Sequence, residues 1–395
     1  MISESAIDIP SVVRAIRTAT GTVDQRIALH EPWFFGNEWN YVKDCIDSGW
    51  VSSVGAYVDR FEQMISEYTG IGGVIAVVNG TAALHVCLLL SGVGLNEEVL
   101  VPSLSFVATA NAVSYCGAVP HFVDVDEQTL GLDPFKLADY LTDVAEMRDG
   151  ICFNRISGRA IRAVVPMHTF GHPVDLDHLV EVCMRFGLVM VEDAAESLGS
   201  FYKGKHTGSL GRCAALSFNG NKTVTTGGGG AILTTDRGLA DRARHITTTA
   251  KSPHRWAFYH DAIGYNYRMP NLNAALGCAQ LEQLPLFISN KRALADRYQE
   301  AFRLVRGMVF FLEPDHGVSN YWLNSLILNE ESSEYRETLL EVLNDEGLMA
   351  RPVWTPLHRL PMYGTCPRME MQVTERLERR IVNIPSSASL RGMHE

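Results

Sequence analysis

The chain has 395 residues, of which 46 % are hydrophobic and 20 % charged, with a formal net charge of −11. That is ordinary soluble composition, sufficient for an extensive core in one large α/β domain with a smaller companion. The acidic balance argues against nucleic acid as a partner, which asks for a basic face, and leaves a small phosphorylated ligand open. No apolar run approaches bilayer length, and residues 1–10 carry acids without the apolar stretch of a secretory signal. The eight cysteines include no C-x-x-C pair. These features predict a cytoplasmic protein in a reducing compartment, without membrane contact and without a bound metal.

Residues 1–50 read as helical and mixed. They carry an aromatic cluster (Trp33, Phe34, Phe35, Trp39, Tyr41) expected in core or dimer packing. Val58, Phe61, Ile65 and Tyr68 recur at helical spacing and predict a helix over 58–69. Strands then alternate with helices: strands at 74–78, 99–101, 119–123, 163–166 and 188–191, with helices at 82–91 and 106–116 and another between the last two strands. Two further strands, 214–218 and 230–234, flank a loop rich in Lys, Thr and Gly. Short apolar strands separated by helices predict a large, mostly parallel sheet covered on both faces. Residues 143–159 are the least patterned and read as an exposed insertion. After Pro270 the pattern changes to a long helix over 272–298, an alternating segment near 321–328 and a helix over 333–344. This predicts a large domain over 1–270 and a smaller C-terminal α+β domain over 271–395.

Three motifs fall at strand ends, where open α/β sheets bind ligands. In Asn79-Gly80-Thr81-Ala82-Ala83 the glycine permits a tight turn, and the helix start offers backbone N–H groups and a hydroxyl to a phosphate. Taken alone, a helix cap is the better explanation. Asp193 leaves the sheet at its carboxyl end, where a carboxylate can pair with a protonated pyridine nitrogen, or simply cap a helix. Lys222 follows a strand in a polar, Gly-rich loop. Schiff-base chemistry is one use for such a lysine, and a solvated surface position is the other. A nucleotide P-loop is excluded, because Asn221 stands where glycine must precede the lysine. The order of the three decides: a phosphate turn, a strand-end Asp and a strand-end Lys are what pyridoxal phosphate requires on this type of sheet.

The segments NGTAALH, VPSLSFVATANAV, VEDAAES, SFNGNKTVTTGGGG, GYNYRMPNLNAALG and RPVWTPLH resemble the DegT/DnrJ/EryC1/StrS sugar aminotransferases, from about Leu29 to Leu390. LHEPWFFGNE, SSVGAYVDRFE and NGNKTVTTGGGG are most similar to the LegC-type subgroup, named for legionaminic-acid synthesis. The resemblance implies the fold type I transferase architecture of the aspartate-aminotransferase kind. It implies that Lys222 binds the cofactor covalently and that Asp193 holds its ring nitrogen. Phe106 would stack on the ring, and Glu196, where many members have Gln, would stand by the ring hydroxyl. Thr81, Ala82 and Ser217 would hold the phosphate. Asn266 would reach it from a neighbouring subunit, giving an obligate homodimer with its active site at the interface. Gly227–Gly230 lack the acid that many members carry, a departure expected to affect loop packing.

The implied reaction is ping-pong transfer of an amino group from L-glutamate, through pyridoxamine 5′-phosphate, to the C4 ketone of a UDP-linked 4-keto-6-deoxy-N-acetyl-hexosamine. Transfer at C3, or on a GDP- or dTDP-linked keto-sugar, stays open. Dehydratases of this fold carry histidine in place of the lysine, so Lys222 speaks against that reaction. A non-catalytic binding or regulatory protein is disfavoured by Lys222 and Asp193 together. Arg268, Arg351 and His358 are candidates for phosphate, sugar or glutamate carboxylate, with structural salt bridges as the alternative. His168 and His172 read as structural.

Overall fold

A central sheet is laid down between residues 73 and 234, and the computed structural model describes residues 7–390. Residues 1–6 of the stretch examined for a secretory signal lie outside the described residues. Three helices precede the sheet, α1 (Ile9–Thr20), α2 (Glu38–Ser48) and α3 (Ala56–Thr69). Then follow β1 (Gly73–Val77), α4 (Gly80–Leu90), β2 (Glu98–Pro102), α5 (Val107–Tyr115), β3 (Val119–Val123) and α6 (Pro134–Val144). A hairpin of β4 (Ala145–Arg148) and β5 (Ile151–Asn154) leads to β6 (Ala160–Val164), α7 (Leu176–Phe186) and β7 (Val189–Asp193). A short ribbon, β8 (Phe201–Tyr202) and β9 (Lys205–His206), comes before β10 (Cys213–Ser217), β11 (Gly230–Thr234) and α8 (Arg237–Thr247).

The main strand order is β1-β11-β10-β7-β6-β2-β3. Neighbours are parallel from β10 through β7, β6 and β2 to β3, whereas β11 runs antiparallel to both β10 and β1. The strands are apolar on both sides because both faces are covered. Ile75, Val77, Val99 and Ile232 face a core shared with Leu84 of α4 and Val113 of α5. Their chain neighbours Val74, Ala76 and Leu233 face the opposite core, with Phe61 of α3. Alternation of side chains along each strand therefore feeds two separate hydrophobic layers.

The C-terminal part contains α9 (Asn271–Glu282), α10 (Leu284–Phe302), β12 (Met308–Phe310), β13 (Gly317–Val318), β14 (Asn324–Leu328), α11 (Arg336–Asp345), β15 (Arg351–Pro352), α12 (Gln372–Glu378) and β16 (Ile381–Ile384). A second, antiparallel sheet runs β12-β14-β16-β15. Packing crosses the division expected after Pro270 in both directions. Helix α9 lies against α2 and α3 of the large unit. Val12 and Ile16 of α1, in turn, are buried with Leu294 and Tyr298 of α10 and Leu326 of β14.

The single helix expected over 272–298 is two helices meeting at Gln283. Pro285 sits in the first turn of the second, where its missing N–H does no harm, whereas inside one continuous helix it would break the ladder. Residues 143–159 are mostly exposed, as expected, but they form a hairpin rather than an unpatterned stretch. The β4–β5 hairpin turns at Asp149–Gly150, both with positive φ, as the Asp-Gly turn demands, and β5 pairs with β6. Buried Glu98 fastens the segment by accepting from Asn154 Nδ2 at 2.9 Å and Ser157 Oγ at 2.5 Å. The helix expected over 333–344 starts at Arg336, after a 3-10 turn over Glu330–Tyr335. The aromatic cluster divides: Trp33 packs near Phe287 and Tyr41 near Tyr57, while Phe34 and Trp39 are exposed. No helix among the described residues is long and apolar enough to cross a membrane.

Candidate active site

A cavity of about 330 Å³ opens beyond the carboxyl ends of β7 and β10, at the start of α4. Thr81, Phe106, Asp193, Glu196, Ser217 and Lys222 all line it. The three strand-end motifs thus converge on one space, although 29 residues (222 − 193) separate Asp193 from Lys222 in the chain.

Asp193 is the last residue of β7, paired in register with Ala215 of β10. Its Oδ2 accepts from Thr109 Oγ1 of α5 at 2.8 Å, and its Oδ1 from the Ala195 N–H at 3.2 Å. It is only 4 % exposed. Burial pushes its carboxyl pKa up, opposed by the Thr109 hydroxyl, the Ala195 amide and the charge of Lys222. A carboxylate so fixed and so dry favours a cationic hydrogen-bond donor in the cavity.

Lys222 stands in the loop after β10, its N–H donating to Asn219 O at 3.0 Å. Its Nζ donates to Glu196 Oε1 at 3.2 Å and lies 3.7 Å from the ring centroid of Trp322. Glu196 also accepts from the Phe170 N–H at 2.9 Å. Phe170 itself has φ 56, in the left-handed region, and the turn it makes aims that N–H at the carboxylate. Burial raises Glu196 to about 7, opposed by the Lys222 charge and the Phe170 amide and reinforced by Asp193. The Glu196 carboxyl therefore changes charge near neutral pH.

The phosphate turn is built by contact between two loops. A Cβ on Gly80 would stand 2.9 Å from Ser217 Cβ, and one on Gly230 would stand 2.4 Å from the carbonyl carbon of Asn79. Bare backbone at both positions brings the start of α4 against Ser217. Asn79 Oδ1 already takes the Ala82 N–H at 2.7 Å. The amides of Gly80 and Thr81, first in the helix, have no acceptor within it. Phe106 precedes α5 and is 49 % exposed, its ring 6.3 Å from that of Trp354.

Five other residues expected at the site do not line this cavity, Ala82 among them, its amide taken by Asn79. Asn266 is exposed and bridges to Thr248. Arg268 is paired with Glu62 at 3.0 Å. Arg351 donates to Asn344 Oδ1 at 3.1 Å. His358 is held between Ser103 Oγ at 2.7 Å and Glu375 Oε1 at 2.8 Å. His168 is buried against Glu192 at 3.0 Å, and burial takes His172 down to about 3 between Phe311 and Tyr321. Thr109, Trp322 and Trp354 enter the site without a motif of their own. Thr109 was within a recognised segment, while Trp322 lay in a stretch read only as a strand.

Pyridoxal phosphate fits this arrangement: a buried carboxylate able to take a ring N–H, an amine at the opposite chemistry, and a glycine-lined turn with free amides for the phosphate. A profile of the DegT/DnrJ/EryC1/StrS aminotransferase family matches residues 36–394. The chain is 38 % identical to a GDP-perosamine synthase of Escherichia coli O157:H7 over 92 % of this chain and 94 % of that one. A GDP-perosamine synthase of Caulobacter vibrioides is 36 % identical over 92 % and 94 %. The solved structure of DesI in the presence of its TDP-sugar product superposes with a TM-score of 0.80 at 28 % identity, covering 94 % of this chain and 91 % of that one.

Proposed function

The chain belongs to the DegT/DnrJ/EryC1/StrS aminotransferase family, and from that premise we propose that it aminates the C4 ketone of a nucleotide-linked 6-deoxyhexose, with L-glutamate as donor. It is a pyridoxal-phosphate-dependent sugar aminotransferase of nucleotide sugars. The observation that carries the proposal is the joint presence of Lys222 and Asp193 on one cavity wall system.

Bound pyridoxal phosphate supplies an aldehyde that carries the amino group and a ring that draws off electrons from the adjoining carbon. Asp193, oriented by Thr109 and Ala195, would hold the ring nitrogen in its protonated form. Gly80 and Thr81 amides, with the Thr81 and Ser217 hydroxyls, would hold the phosphate. Ala82 contributes to that turn through its capped amide. Phe106 lines the cavity where it can cover a planar ring. Lys222 Nζ is the base that removes the α-proton of glutamate, and the same atom exchanges a proton with the sugar carbon in the second half of the cycle. Glu196 keeps that amine at hydrogen-bond distance. Trp322 and Trp354 exclude water from it.

GDP is the nucleotide favoured by the relatives named as GDP-perosamine synthases, which match over nearly the whole chain. The LegC-like phrases around Trp33, Val54 and Lys222 support a UDP-linked 4-keto-6-deoxy-N-acetyl-hexosamine as the second reading. Incubation with glutamate and a panel of GDP-, UDP- and dTDP-linked 4-keto- and 3-keto-sugars, with the amine placed by NMR, decides between them. A 4-amino product from the GDP-sugar alone is expected, and amination only at C3 overturns the position assigned.

We also propose a homodimer in which Asn266 serves the cavity of the second copy. Its exposure and its place outside its own cavity support this. The neighbouring loop exposes aromatic side chains, with Trp256 72 % and Phe258 82 % accessible.

A further inference from the structure

Trp322 belongs to none of the three strand-end motifs, yet it touches both Lys222 and the residue before it. Its indole lies under the amine, 3.7 Å from Nζ to the ring centroid. Its Nε1 donates to the carbonyl of Asn221, the residue before the lysine, at 2.7 Å. Glu196 meets the same amine at 3.2 Å. One aromatic side chain therefore confines the tip of the lysine and pins the base of its loop.

Trp322 is itself held by two buried polar side chains. Its N–H donates to Asn320 Oδ1 at 2.7 Å, while Asn320 Nδ2 donates to the carbonyls of Glu196 at 2.8 Å and Leu198 at 2.9 Å. A single amide group thus ties together the backbones that carry both neighbours of the lysine amine. Gly171, with φ +96, leaves room for it, since a Cβ there would fall 1.9 Å from Asn320 Oδ1. The Trp322 carbonyl accepts from Lys291 Nζ at 3.2 Å, and that nitrogen also donates to Ser386 O at 2.5 Å. Lys291 is fully buried and makes no ion pair among the described residues. Burial lowers its pKa to about 7. A desolvated amine spent on two carbonyls is a costly way to fill space. What it delivers is a fixed position for residue 322.

We infer that Trp322 is a positioning residue that keeps the amine of Lys222 beside Glu196 whenever that amine has no covalent partner, with Asn320 and Lys291 fixing the indole for the purpose. A free lysine side chain has four flexible carbons and would otherwise sample the whole cavity. An aromatic face attracts the ammonium without the strong hold of a second carboxylate, so the amine stays close to the reacting carbon and remains able to leave. The inference rests on Lys222 being the cofactor's lysine.

The test uses Trp322→Phe, Trp322→Leu and Lys291→Met. In cofactor-free protein labelled with ¹³Cε-lysine, the Lys222 resonance is assigned by its loss in Lys222→Arg. Ring current displaces it in the wild type and in Trp322→Phe. In Trp322→Leu it should return to the position of an unconstrained lysine, and in Lys291→Met it should move part of the way. In the loaded enzyme, Trp322→Leu should lower kcat about 10-fold with the sugar KM within about two-fold, and Trp322→Phe should recover most of the loss. An unmoved resonance in Trp322→Leu, or equal losses in Phe and Leu that track their melting temperatures, overturns the inference. Absence of a borohydride-trapped cofactor on Lys222 would instead sink the assignment of the lysine. The resonance measurement needs no cofactor, so the two failures are distinguishable.

Discussion

Lys222 Nζ and Glu196 Oε1 stand 3.2 Å apart in a cavity where the glutamate is 3 % exposed. Burial opposes charge on the acid, and the charge of the amine beside it works the other way. Glu196 therefore fixes the place of the amine.

In the cofactor-free protein this pair gives stability a particular pH dependence. Glu196 is raised from 4.5 to about 7 on folding, so the folded state binds the proton more tightly than the unfolded state. Its contribution to stability is fully present below pH 4.5 and is lost as pH rises through 7, by at most about 3 kcal/mol. Glu196→Gln should remove that decline. Urea unfolding of both proteins between pH 4.5 and 8 measures it as the difference between them. Parallel curves would show that Glu196 does not titrate in this range.

Lys222→Ala should cost on the order of 10²–10⁴ in turnover or more and abolish the visible absorption of lysine-linked cofactor. Normal turnover in this variant would exclude Lys222 as the base. Asp193→Asn should keep the fold and lose on the order of 10²–10³ in rate.

Thr109→Val removes the 2.8 Å donor from Asp193 and leaves an oxygen buried with less help. Cofactor affinity should fall about 10-fold, consistent with one lost hydrogen bond to a charged group. Spectroscopic titration of the cofactor-free protein with pyridoxal phosphate checks it. Unchanged affinity would mean that the cofactor ring fixes Asp193 unaided.

Gly230→Ala places a methyl group 2.4 Å from Asn79 C and 2.7 Å from Gly80 N. Backbone must move, at a cost of about 1–3 kcal/mol, and the phosphate turn moves with it. Weaker binding of cofactor and of free phosphate is expected together. Wild-type binding of both would show that the turn is not the phosphate site.

Mixing Lys222→Ala with Asn266→Ala subunits tests the shared site. Hybrid dimers would contain one intact site, so unfolding and reassembly of an equal mixture should restore about a quarter of wild-type activity. No recovery over the parents would place Asn266 outside the neighbouring cavity.

The sheet was legible because its strands are short β-branched runs whose two faces are both buried, as at residues 73–77 and 230–234. Asp193 and Lys222 stood out because strand ends are few and each has its own chemistry. Trp322 was invisible as a site residue, since its approach to Lys222 depends on Asn320, Lys291 and the turn at Phe170, all far from Lys222 in sequence. The same blindness let Arg268 pass as a ligand candidate when Glu62 lay on another element. The hairpin near 149 was signalled only by its Asp-Gly pair, because its strands are short and half exposed.

Burial of Val12 and Ile16 against Leu294 and Tyr298 gives the second unit a discontinuous ancestry in time. During synthesis, α1 emerges with an apolar stripe that must wait for about 280 further residues before its mate leaves the ribosome. The sheet, complete by residue 234, assembles inside that wait. The interval leaves that stripe uncovered while the sheet forms, and closure of the second unit waits on the synthesis of α10.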